Sequence, residues 1–205
     1  MVEKCRIRRS AAGGGAFTMT EVELKAALTA AQAAALPARL ETLGFQAQAC
    51  VHEIDVYWNG SSRDFRKTDE ALRLRSVEDL GSGRSEALIT YKGPKQDDRS
   101  STRQEYETSV GDMTTARKLL SALGYRALFT VDKTRRTYTR DRLTVCLDDV
   151  NCLGSYVELE TVLEDECDRD GAVDALLLLL DCLGISRGVL TRKSYLELLI
   201  ASATV

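Results

Sequence analysis

Charged residues return at every second position in one apolar segment after another. In "TMTEVELKAAL" (18–28), Glu21, Glu23 and Lys25 alternate with Val22, Leu24 and Ala26. Successive side chains of a β-strand point to opposite faces, so this stretch reads as a strand with one apolar and one charged face. The same parity runs downstream. Arg73 and Arg75 alternate with Leu72 and Leu74, and Thr90 and Lys92 share a face. Arg103, Glu105, Glu107 and Ser109 align, as do Lys133, Arg135 and Thr137. Thr144, Cys146 and Asp148 form another row, and Tyr156, Glu158 and Glu160 the last. Strands are predicted at 19–28, 47–58, 71–78, 86–93, 102–110, 128–139, 142–150 and 155–163. Loops of turn chemistry such as "EDLGSGRS" and "GPKQDDRSS" separate them.

Three segments end alike, "LETLGF" (40–45), "LLSALGY" (119–125) and "LLLDCLGI" (178–185). In each, glycine follows an apolar-periodic run and supplies a left-handed helix terminus. Helices are expected at about 30–43, 113–123 and 170–183. Pro37 implies a late start or a kink in the first. A fourth amphipathic helix is expected at about 191–201.

These helices need a surface to cover, and the apolar one available is the Val/Leu face of the strands. If they pack there, the charged face becomes the inside of a closed sheet. The fold class expected is therefore α+β, a closed or nearly closed eight-stranded antiparallel β-barrel with helices packed on the outside. An ordinary half-solvated sheet with a wet charged face is the alternative. An interior rich in Arg, Lys and carboxylates must hold water, ions or ligand, because unpaired buried charge is costly. Guanidinium groups bind phosphoryl oxygens bidentately and lysine adds point charge, so a long polyanion is the natural guest. The carboxylates suit Mg²⁺ or Mn²⁺, which take oxygen ligands and bridge phosphates.

The totals narrow the classes. Over 205 residues, 28 Lys and Arg face 31 Asp and Glu, so no basic excess points to nucleic acid. The densest apolar run, "AVDALLLLLDCLGI" (172–185), is broken by Asp174 and Asp181 and falls short of the ~18–20 residues that span a bilayer, so no membrane partner is expected. Six cysteines without a C-x-x-C pair, and the single histidine His52, argue against a transition-metal site of that kind. Scattered reduced core thiols suit a reducing, cytoplasmic location. Residues 1–17, basic and then glycine-rich, are read as a disordered leader, and 18–205 as one domain.

The chain resembles the CYTH superfamily, the triphosphate tunnel metalloenzymes, and within it the class IV adenylyl cyclase (CyaB-type) branch. Glu21-x-Glu23-x-Lys25 opens the resemblance. "HEIDVYWN" (52–59), "RDFRKTDEALRLR" (63–75), "ITYKGPK" (89–95), "RQEYE" (103–107), "KTRRTY" (133–138) and "LDDVNCLGSYVELE" (147–160) follow in the family's order. Trp58 stands where that branch more often has phenylalanine. The resemblance implies a tunnel binding a triphosphate and Mg²⁺ or Mn²⁺. It implies Glu21, Glu23, Glu158 and Glu160 as metal ligands, assisted by Asp148 and Glu107. Lys25, Arg73, Arg75, Lys92, Arg103, Lys133 and Arg135 look like the phosphate cradle, and Glu21, Glu23, Lys25 and Asp148 the catalytic set. Two chemistries share this scaffold, cyclisation of ATP and hydrolysis of tripolyphosphate, a nucleoside triphosphate or thiamine triphosphate. The partner implied is a small-molecule triphosphate, and a homodimer is compatible with it.

Some residues have plainer readings. His52 is expected to cap or hydrogen-bond beside its strand rather than act as a base. Tyr57 and Trp58 alternate, so one packs under a helix and the other faces the tunnel, with Trp58 assigned to the core. "EDECDRD" (164–170) reads as a solvated turn and helix cap. Lys193 and Tyr195 either swing over a tunnel mouth or face water.

Overall fold

A computed structural model of the chain describes residues 20–96, 101, 103–163 and 168–203. Its elements in order are β1 (Thr20–Ala27), α1 (Ala30–Thr42), β2 (Gln46–Gly60), β3 (Ala71–Asp79), β4 (Ser85–Lys92), β5 (Arg103–Val110), α2 (Met113–Ala122), β6 (Tyr125–Arg140), β7 (Leu143–Val150), β8 (Gly154–Leu163), α3 (Arg169–Cys182), β9 (Leu190–Thr191) and α4 (Tyr195–Ala203). The leader expected at 1–17 lies outside the described residues, as do 164–167 of the acidic turn.

The strand order is β5-β4-β3-β2-β6-β7-β8-β1, with antiparallel neighbours, and β1 pairs back onto β5 through Thr20↔Gln104 and Glu21↔Arg103. That pairing closes the barrel. Only the start of β1 meets β5. Further along, Lys25 and Ala26 pair instead with Thr191 and Leu190 of β9.

Helices cover the outer faces, as the apolar parity requires. Val22, Leu24, Val145, Leu147, Val157 and Leu159 form one buried cluster with Leu36 and Leu40 of α1 and Leu176 and Leu180 of α3. Val56, Trp58 and Leu74 form another with Ala116 and Leu120 of α2. Each such large side chain, fully buried, contributes about 1.5–3 kcal/mol. The alternate residues Lys25, Arg73, Arg75, Arg103, Lys133, Asp148 and Glu158 are buried inside the barrel. The wet-outer-face alternative is thereby excluded.

One helix start differs from expectation. α1 begins at Ala30, as expected, with Pro37 inside it, because Thr29 and Gln32 form a reciprocal capping box that fixes the first turn. The last helix begins at Tyr195, not near 191, since 190–191 are taken by β9. Ser194 Oγ accepts from the Glu197 amide at 3.2 Å, and the Glu197 carboxylate accepts from the Ser194 amide at 2.7 Å. The Ser-x-x-Glu spacing at 194–197 is the signal for that start. Cys50, Cys146, Cys152 and Cys182 are free thiols; only Cys146 among them is buried. No helix among the described residues is long and apolar enough to cross a membrane.

Candidate active site in the tunnel

The register builds an acidic wall from β1 and β8. Glu23 lies opposite Glu160, and Lys25 opposite Glu158. One carboxylate oxygen from each of Glu23, Glu158 and Glu160 falls within 4.8 Å of the others. Lys25 Nζ stands 2.9 Å from Glu23 and 3.0 Å from Glu158. Arg135, from β6, clamps Asp148 through Nε at 2.7 Å and Nη2 at 2.6 Å, and also binds Glu158. These cations do not balance the wall. Burial and the nearby Glu105 charge, only partly offset by Lys92, push the Glu21 carboxyl up to about 7. Burial and Glu21 raise Glu160 well above the carboxylate range, against the pull of Arg135. Burial also opposes charge on Glu158, but Lys25 and Arg135 more than reverse it.

The opposite wall, from β2 and β3, is saturated with cations. Arg75 donates to Asp55 through Nε at 2.5 Å and Nη2 at 2.7 Å, and reaches Glu53 at 3.1 Å. Arg73 stands 3.5 Å from Asp55 and donates to Thr90 at 3.2 Å. Lys133 lies 3.2 Å from Glu53 and 3.6 Å from Asp148, bridging the two walls. Burial again works against the charged forms. Even so, Arg75, with Lys133 for Glu53 and Arg73 for Asp55, holds both carboxylates below their ordinary range.

The structure thus brings Glu21, Glu23, Lys25, Arg135, Asp148, Glu158 and Glu160 onto one side of a common interior. Arg73 and Arg75 face them, and Lys92 pairs with Glu105 at 2.5 Å. Arg103 is tied to the main chain, donating to the Gly93 carbonyl at 3.3 Å. Glu107 stands apart from the carboxylate trio. It accepts from Thr90 Oγ1 at 2.8 Å, 3.6 Å from Arg73, near the rim. Sequence reasoning gave no site role to Glu53 or Asp55. Their signal was present in "HEIDVYWN", where Glu53, Asp55 and Tyr57 alternate with Ile54, Val56 and Trp58. His52 is a cross-strand hydrogen-bonding residue, 2.7 Å from Asp132. Trp58 packs under α2 and Tyr57 lies at the tunnel end, while Tyr195 is buried and Lys193 exposed.

The donors fit a hard divalent cation. All are carboxylate oxygens, converging from adjacent strands, as Mg²⁺ or Mn²⁺ requires. Glu23 Oε1 is buried with the Lys25 ammonium 2.9 Å away, and its neighbours Glu21 and Glu160 hold their protons because the protein does not offset the charge they would carry.

A closed antiparallel barrel with a carboxylate trio and an Arg/Lys lining defines the class of triphosphate tunnel proteins. The CYTH domain profile matches residues 19–195, and the chain belongs to the CYTH family. A provisionally named adenylate cyclase of Methanocaldococcus jannaschii is 37% identical over 160 residues, covering 78% of this chain and 88% of the relative. The solved PH1819 protein of Pyrococcus horikoshii has a TM-score of 0.81 at 35% identity, covering 89% of this chain and 99% of that one. The fold is shared with HpAC1 of Hippeastrum, a provisional adenylyl cyclase described as having a dominant triphosphatase activity. There the TM-score is 0.60 at 15% identity, covering 91% of this chain and 96% of that one.

Proposed function

We propose that the chain is a metal-dependent enzyme of the class IV adenylyl cyclase type, converting ATP to cyclic AMP and pyrophosphate in a cytoplasmic setting. One observation carries the metal and phosphate part: the Glu23, Glu158 and Glu160 oxygens converge beside Lys25 and Arg135 inside a closed barrel. The name of the 37% identical relative supports the cyclase part.

In this reading Glu21, Glu23, Glu158 and Glu160 hold Mg²⁺ or Mn²⁺. When bound, the cation would neutralise phosphate charge and assist nucleophile and leaving group. Burial works against charge on Lys25, but Glu158 and Glu23 outweigh it and keep the ammonium protonated, so it remains a fixed positive charge for a phosphate. Arg73, Arg75, Lys92, Arg103, Lys133 and Arg135 would align the chain of phosphates, since positioning and charge stabilisation dominate phosphoryl transfer. The ribose 3′-oxygen bonds to the α-phosphorus, the bond from that phosphorus to the bridging oxygen breaks, and pyrophosphate departs. The hydroxyl proton goes to a base or to water.

A second reading, hydrolysis of tripolyphosphate or an organic triphosphate, is favoured by the shared fold with the Hippeastrum protein, since the tunnel alone serves both chemistries. Incubation with Mn²⁺ and either ATP or tripolyphosphate, assayed for cyclic AMP and for phosphate, separates them. Cyclic AMP is the expected product. Phosphate without cyclic AMP sinks the cyclase assignment. Unchanged turnover in Glu21→Ala and Glu158→Ala removes the metal assignment.

A further inference from the structure

Tyr195, the first residue of α4, has no part in the roles above. Its ring packs edge-on to Tyr156 at 5.3 Å between centroids, within a cluster that includes Tyr57, Val131, Val150 and Leu199. Tyr57, Val131, Val150 and Tyr156 share the inward parity of Asp55, Lys133, Asp148 and Glu158, so α4 is seated across one end of the barrel. There the ring lies 4.6 Å from Lys25 Nζ and 5.1 Å from Lys133 Nζ, and its hydroxyl donates to Asp148 at 2.7 Å. Exposure of inward side chains rises with distance from it. Lys25 is 6% exposed against 15% for Glu23, Lys133 3% against 12% for Arg135, and Glu158 6% against 16% for Glu160. The tunnel is deepest at Tyr195 and opens at the far end.

Building on the triphosphate reading, we propose that Tyr195 is the end stop of the tunnel, a positioning residue that holds Lys25 and Lys133 for the last phosphate and so sets the length of phosphate chain admitted. The aromatic face orients both ammonium groups by cation–π attraction, and the hydroxyl fixes the Asp148 carboxylate that would otherwise draw Lys133 away. A chain with its last phosphate against this floor leaves its organic end at the open mouth.

Calorimetric titration of pyrophosphate, tripolyphosphate and tetrapolyphosphate, with Ca²⁺ in place of Mg²⁺ to slow turnover, tests this. Wild type should prefer tripolyphosphate over tetrapolyphosphate by about thirtyfold, the scale of one desolvated cation–π pair. Tyr195→Phe keeps the ring but frees Asp148 to draw Lys133 away, and should lower that ratio only in part. Tyr195→Leu keeps apolar packing but loses the ring, and the ratio should collapse towards one as tripolyphosphate weakens. Tyr195→Trp, a taller floor, should shift preference towards pyrophosphate, and serves if the leucine variant folds poorly. Equal weakening of all three ligands, or an unaltered ratio in both the Leu and Trp variants, overturns the end stop alone. If wild type binds none of the three, the triphosphate reading falls and takes the proposal with it.

Discussion

Carboxylates line both walls of this tunnel, yet the two walls treat them oppositely. On β1 and β8, Lys25 and Arg135 hold Glu158 down, but burial and repulsion push Glu21 and Glu160 up, so these two keep protons that the wall's own cations do not displace. On β2, Arg75, Arg73 and Lys133 hold Glu53 and Asp55 down, so that wall is internally satisfied. A charge-deficient wall invites a cation from outside, whereas a satisfied one fixes its arginines. Being an inward acidic residue is therefore insufficient to make a metal ligand; what sets the proposed site apart is that Glu158, although paired, converges with Glu23 and Glu160, whereas Glu53 and Asp55 meet only cations.

The largest expected effect follows from removing a proposed ligand on the deficient wall. Even an outer partner of a metal ligand contributes about 10- to 100-fold to affinity or activity, so Glu160→Gln should lower Mn²⁺-supported turnover by at least about 100-fold. Glu160 keeps its proton in the metal-free protein, so the amide replaces a neutral carboxyl and the thermal midpoint in EDTA should not fall. A lower midpoint with intact turnover would reverse the roles of the two walls.

Asp55→Asn should behave the other way. Asp55 is buried and takes two hydrogen bonds from Arg75. Removing one partner of a buried pair leaves uncompensated charge and costs about 3 kcal/mol. Denaturant melts should show that loss with or without metal. If the loss appears only when metal is present, Asp55 belongs with the ligands.

The contrast also gives the metal-free protein a stability optimum in pH. A carboxylate raised by folding keeps its proton after the unfolded chain has lost it. Stability thus falls as pH rises from about 4.5 through the Glu21 value of about 7. Lowered carboxylates such as Glu53 and Asp55 contribute stability that is present above their unfolded values, 4.5 for Glu53 and 3.8 for Asp55, and is lost as pH falls below these. Melts in EDTA should peak near pH 5, and Mg²⁺ or Mn²⁺ should raise the neutral side alone. A curve flat from pH 5 to 7.5 in EDTA would break the distinction.

Much of this was legible in the chain. Period-two alternation located the eight barrel strands, and closure followed because the helices had only the Val/Leu face to cover. What alternation could not express was cross-strand neighbourhood. Glu21 and Glu53 look equivalent in sequence, yet one faces Arg103 in register and lies near Glu105, while the other faces Lys133. Two-residue β9 is too short to carry any period, and without it the start of α4 was placed four residues early. The position of Tyr195 beside Asp148 depends on the chain returning to a barrel end, for which no local pattern exists.

Glu107 is the finest test of the comparison, because its residue type and parity match those of the proposed ligands. It points inward from β5, but register carries it towards the rim, where it is held by Thr90 and, more distantly, Arg73 rather than by other carboxylates. A partly exposed pair of this kind contributes about 0.2–1 kcal/mol, so Glu107→Gln should change turnover by less than about fivefold and leave the metal concentration at half-maximal activity unmoved. A tenfold rise in that metal requirement would carry Glu107 into the coordination set and extend the deficient wall across the β1–β5 seam. An unmoved requirement with weaker tripolyphosphate binding would instead tie Glu107 to the placement of Arg73.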